Sequence, residues 1–143
     1  MKTYTAEDLK RMGDEAAGLH KEGGNCAQSV FLAYAEEAGL PRETARKIFQ
    51  GFGGGLALGE VCGAFSGAAA ALGLLSEPVK PGDLAAKAAF SARVKAMGEK
   101  FRAEAGALRC GELKPQDPEE QKKVCGDLIR LGVRLVAEEL QKE

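Results

Sequence analysis

The sequence predicts an all-α fold, a single-domain bundle of five or six helices over residues 1–143, with a glycine-rich loop and helix at residues 51–75 at its centre. Three observations point there. No segment alternates apolar and polar residues as a half-buried strand does. Four segments open on a capping residue, Thr5, Asn25, Asp83 or Asp117, and continue with apolar residues at helical spacing. Glu60 to Leu75 lacks proline and is full of alanine, the best helix former. A chain of 143 residues can bury a real core without staples. No repeat is long enough to mark a solenoid.

The first helix is expected from about Ala6 to Lys21. Thr5 caps it, with Asp8 at the third helical position completing a capping box. Leu9, Met12, Ala16 and Leu19 make its apolar face, and Gly23-Gly24 stops it. His20, the only histidine, falls in the last turn, where a cation suits the helix dipole. It reads as a solvated side chain rather than a ligand. Asn25 caps the second helix, about Cys26 to Ala38, and Gln28 supplies the reciprocal bond. Val30, Phe31, Ala33 and Tyr34 face inward, and Gly39 ends the helix. Cys26 is thereby fixed at the first helical position. Free N–H groups and the positive dipole end there lower a thiol pKa. Pro41 opens a short third helix through about Phe49.

Residues 51–73 read GFGGGLALGEVCGAFSGAAAALG. Glycine loses the most backbone freedom on ordering, so Gly53-Gly54-Gly55 is expected to be a loop. It feeds a helix from Glu60 to Leu75, with Cys62 in the first turn. Gly59, Gly63, Gly67 and Ala71 recur every four residues and leave one helix face without side chains. That stripe suits close helix packing, or it leaves room for a compact group beside Cys62. Val61 to Leu75 is too short to span a bilayer, which takes about 20 apolar residues.

Pro78, Pro81 and Gly82 mark a connecting loop from Ser76 to Gly82. Asp83 then caps a long helix to about Ala105, with Leu84, Ala88, Val94, Met97 and Phe101 on its inner side. Its basic residues read as a solvated face. Cys110 falls in a second loop, Gly106 to Gln116. The last helix starts with Asp117 at the cap, Pro118 first and Glu120 third, and runs to about Leu140. Val124, Leu128, Leu131, Leu135 and Val136 form its buried stripe. Cys125 lies beside that stripe and, taken singly, reads as a small core residue.

The net charge of -1 gives no electrostatic case for nucleic acid or an anionic membrane. Aromatics are few and tryptophan is absent, which argues against base-stacking platforms. The polar N-terminus, MKTYTAEDLKRMGDE, has no signal-peptide core, so a cytoplasmic location is expected. Four cysteines in a reducing compartment ask for a role beyond disulfide bracing. Cys26, Cys62, Cys110 and Cys125 show no C-x-x-C pair, haem motif or zinc-finger spacing.

The segment Asn25-Cys26-Ala27-Gln28-Ser29-Val30, then GFGGG, then Gly59-Glu60-Val61-Cys62-Gly63-Ala64 with Gly67, then a loop cysteine and a final-helix cysteine, resembles the C_GCAxxG_C_C family. The family name places glycine before the cysteine, whereas here Cys62 precedes Gly63. The resemblance implies a small protein with redox-active cysteines. It is similar to the cysteine-bearing part of split-Soret cytochromes, which implies an iron–sulfur role, but no haem-attachment motif is present.

Three readings follow. In the first, Cys26, Cys62, Cys110 and Cys125 hold an iron–sulfur cluster, or zinc, and pass electrons to an unidentified redox partner protein. In the second there is no cofactor, and Cys26 or Cys62 attacks a disulfide that another cysteine resolves. In the third, four inert thiols sit in a helical interaction domain. Neither nucleic acid nor membrane is expected as a partner. Homodimer formation and enzymatic activity are left open.

Overall fold

The computed structural model describes residues 3–142, and all its regular structure is helical. The helices are α1 (Ala6–Lys21), α2 (Cys26–Ala35), α3 (Arg42–Ile48), α4 (Gly63–Leu74), α5 (Leu84–Ala105), α6 (Cys110–Leu113) and α7 (Pro118–Leu140). Beside a short eighth helical element that covers Gly55–Gly59, the expected five or six become seven α-helices among the described residues, because the segment around Cys110 forms the one-turn helix α6. That helix has no side-chain cap and no periodic face, so the sequence carries no signal for it. Among the described residues there is no strand, only an isolated antiparallel bridge between Val61 and Arg109.

The capped starts form as their residues dictate. The Asp8 N–H donates to Thr5 Oγ1 at 3.0 Å and the Thr5 N–H to Asp8 Oδ2 at 2.9 Å. Asn25 and Gln28 exchange the same pair of bonds, at 2.8 and 2.9 Å. Asp83 and Asp117 cap α5 and α7 through the amides of Ala86 and Glu120. Helix α2 ends at Ala35 rather than Ala38, and a turn through Gly39, at φ 77°, leads to Pro41.

Helix α4 lies at the centre, between α2 and α7. A Cβ on Gly67 would lie 2.5 Å from the Ala27 carbonyl oxygen of α2. A Cβ on Gly132 of α7 would lie 2.8 Å from the Ala64 carbonyl oxygen of α4. Missing side chains therefore let three backbones meet, and Ala64, Ala68, Ala71 and Leu72 are fully buried there. Around them the core holds Val30, Tyr34, Met97, Phe101, Ile129, Leu135 and Val136.

Two expectations are corrected. Helix α4 begins at Gly63, with Cys62 at its N-cap, so Gly59 and Glu60 precede it. Gly54, Gly55, Leu56 and Ala57 instead run in the left-handed region, with φ of 61° to 63°, as a single left-handed turn. Leu84 and Ala88 are exposed, not inward. Arg93 of α5 reaches the Glu139 carbonyl near the end of α7, and Lys100 pairs with Glu138. The residues of α5 before Arg93 therefore have no α7 to pack against. No helix among the described residues is long and apolar enough to cross a membrane.

Candidate functional site

Helix starts position three of the four cysteines. Cys26 is the first residue of α2, where the Asn25 cap fixes it. The Asn25 side chain also donates to the Phe49 carbonyl at 2.9 Å, and a Cβ on Gly53 would lie 2.9 Å from Asn25 Cβ. The glycine loop is thus wrapped against the start of α2. Cys62 is the N-cap of α4, and Cys110 is the first residue of α6. Their two segments are clamped together: the Cys62 N–H donates to the Leu108 carbonyl at 2.8 Å and the Cys110 N–H to the Glu60 carbonyl at 2.7 Å. Glu60, the only charge in the central stretch, pairs with Arg109 at 3.3 Å across this clamp. The pair is exposed, so it contributes at most about 1 kcal/mol. Gly59 and Gly111 meet backbone to backbone beside it.

Cys125 sits two turns into α7 and is buried. Its neighbours are Cys26 and the one residue the sequence reading set aside. A ring nitrogen of His20 and the sulfurs of Cys26 and Cys125 all lie within 4.8 Å of one another. His20 is half-buried, and its Nδ1 is covered and has no hydrogen-bond partner among the described residues. The expectation of a solvated histidine is therefore wrong. Its position in a last helical turn gave no hint of this, because α7 covers it from a part of the chain a hundred residues away. Only its being the sole histidine of a cysteine-bearing chain could have flagged it.

The Cys62 stripe also differs from one expectation. A Cβ on Gly63 would meet the Ala27 nitrogen at 3.0 Å and Cys26 Cβ at 3.2 Å. The space left by the glycine is taken up by α2 itself, which brings Cys26 up to the start of α4.

A family model described as "Putative redox-active protein (C_GCAxxG_C_C)" matches residues 24–139. The chain belongs to the C_GCAxxG_C_C family. No curated protein and no solved structure matches it.

In this C_GCAxxG_C_C protein all four thiols are free. Cys26 and Cys125 share a hydrogen bond, so the pair behaves as one site holding one proton. The Cys26 thiol donates and is pushed far up, first by that bond and then by burial and by the charges of Cys125, Cys62 and Cys110. Cys125 accepts and is lowered to about 7, with Lys114 adding to the effect against burial. This reverses the expectation that the helix start would make Cys26 the low-pKa thiol. Burial raises Cys62 to about 11. The amides of Ala64 and Phe65 face its sulfur and offset part of that rise, although neither forms a cap bond of full geometry. His20 is held below its usual value by burial and then by Lys114.

The donor set suits a soft or borderline metal. Thiolates and an imidazole nitrogen are the ligands that zinc, iron and iron–sulfur clusters take. A covered ring nitrogen without a partner, on an imidazole that lies beside two thiols, is the kind of group a bound ion would satisfy.

Proposed function

We propose that this C_GCAxxG_C_C protein is an electron-transfer protein whose Cys26, Cys62, Cys110 and Cys125 hold an iron–sulfur cluster. One observation carries the reading. The four thiols are free, and charge on any of Cys62, Cys110 and Cys125 would disfavour charge on Cys26, which ties them to one electrostatic neighbourhood. Several thiolates crowded in a buried place are mutually destabilising, and a cation relieves them. Iron bound there would supply a one-electron couple. The residues would do the rest. The starts of α2 and α4 place backbone N–H groups and positive dipole ends beside the sulfurs, which offsets negative charge. The clamp between Glu60 and Cys110 holds the Cys62 and Cys110 thiols in register. The reading requires a partner redox protein as donor or acceptor.

The test is anaerobic reconstitution with iron and sulfide. The expected product is brown, with iron and acid-labile sulfide bound in stoichiometric amount. Serine at any of the four positions should abolish it. Full iron content in one such variant removes that cysteine from the set, and a colourless product without iron overturns the reading.

The hydrogen bond between Cys26 and Cys125 favours a second reading. In it these two thiols give two electrons and two protons to a partner's disulfide. A Cys26–Cys125 disulfide forms and the partner's two sulfurs leave as thiols. A metal-free protein with two fast-titrating thiols, both protected after oxidation, would select this reading over the first.

A further inference from the structure

We propose that His20, Cys26 and Cys125 form a three-ligand site for a single divalent ion, zinc or ferrous iron, with its fourth position open. This rests on reading the cysteines as metal ligands, but it needs only two of them.

The geometry suits a single ion held by three ligand atoms. The three ligand atoms lie within 4.8 Å of one another. A tetrahedral ion with bonds of about 2.3 Å to sulfur and about 2.0 Å to nitrogen sets its ligand atoms roughly 3.5–3.8 Å apart. Small side-chain rotations close that difference. Neither Cys62 nor Cys110 joins the group within that distance.

The chemistry agrees. Two thiolates and one imidazole make a borderline-soft set that retains zinc and ferrous iron. The two negative charges match a divalent ion. Lys114 acts on both Cys125 and His20 and opposes a cation, but it is exposed, so solvent screens it. The covered Nδ1 of His20 is the only buried side-chain nitrogen or oxygen without a partner among the described residues. Leaving such a group unmatched is costly, so a structure rarely keeps one without a use for it.

The placement is also rigid. His20 is in the last turn of α1, Cys26 is the first residue of α2, and Cys125 is in α7. Only Glu22 to Asn25 separate α1 from α2, and the Gly24 N–H donates to the Leu19 carbonyl at 3.0 Å across that turn. The two ligands on α1 and α2 are therefore set by one tight connection, and the third comes from the helix α1 packs along.

The test uses reduced, metal-free protein titrated anaerobically with cobalt(II), followed by zinc competition. The expected result is one cobalt per chain, with sulfur-to-cobalt charge-transfer absorption. The Cys62→Ser/Cys110→Ser double variant should bind it as well as the wild type. His20→Ala, Cys26→Ser and Cys125→Ser should each weaken binding by about tenfold or more. Free imidazole should restore cobalt absorption to His20→Ala, and this rescue separates loss of a ligand from loss of the fold. Equal binding by His20→Ala, no cobalt binding by the wild type, or binding that needs Cys62 and Cys110 would each overturn the proposal. The last outcome would leave the cluster reading standing. Cobalt binding by the double variant, beside a wild type that takes up no iron and sulfide, would support this site and remove the cluster alone.

Discussion

A shared proton governs the thiols at the residue scale. Cys26 holds it and Cys125 accepts it, because the donated S–H stabilises the Cys125 thiolate while burial and neighbouring sulfurs oppose charge on Cys26. For the Cys26–Cys125 pair, apart from the step that Cys62 adds at about 11, the expected titration of metal-free protein therefore has two well-separated steps. The first thiolate absorbance should appear near a pH of about 7, and the second only well above the usual thiol range. Cys26→Ser should move the first step up or down according to how well the serine hydroxyl replaces the bond, and Cys125→Ser should remove it. A first step unchanged in Cys125→Ser would place the early thiolate elsewhere. The low-pKa thiol was not legible from helix position alone. A helix start favours a thiolate, but the partner across the bond and the depth of burial outweigh it.

Close backbone contact is the rule for the elements around the site. Gly67 of α4 faces Ala27 of α2, and a methyl group there would press on a carbonyl oxygen 2.5 Å away. Backbone cannot yield as a side chain can, so Gly67→Ala should cost about 1–3 kcal/mol and loosen Cys26 against Cys62. Gly18 of α1 has open space around its missing Cβ and a helical backbone, so Gly18→Ala should gain about 0.5–1 kcal/mol. Urea unfolding of both variants checks the pair. A neutral Gly67→Ala would show that α2 and α4 can separate freely, against the close-packing account. The four-residue glycine spacing in α4 was readable as a packing face. Its loss of Gly59 was not, because Leu56 and Ala57 adopt left-handed φ that their side chains disfavour by roughly 1–2 kcal/mol each. No local rule predicts such a turn. The surrounding contacts hold it, with Glu60 lying within 3 Å of any Cβ on Gly55.

Acid should weaken the fold of the whole molecule through His20. Its folded pKa lies below the ordinary imidazole value of about 6.5, because burial disfavours the imidazolium. The unfolded chain therefore binds a proton first as pH falls. The contribution is complete above about 6.5 and is lost between the unfolded and the folded pKa. Asp8, lowered chiefly by the Thr5 backbone, and Asp14, lowered chiefly by Lys10, act only at lower pH. Stability of the metal-free chain should thus fall as the pH drops below about 6.5, the unfolded imidazole value, and His20→Gln should flatten that slope. An equal slope in the variant would mean that His20 is solvated after all.

Helix ends are local matters, and the sequence by itself determined most of them. Asn25 and Gln28, Thr5 and Asp8, and Asp117 with Pro118 each satisfy free amides within three or four residues, so no distant contact is needed to place them. Membership of the redox-active family is written just as locally, in the cysteine block. Tertiary structure alone decided which thiols meet, and that His20 joins Cys26 and Cys125. Those meetings depend on α1 lying along α7 and on α2 crossing α4 at glycine, and burial of that kind is a property of the packed core rather than of any one segment.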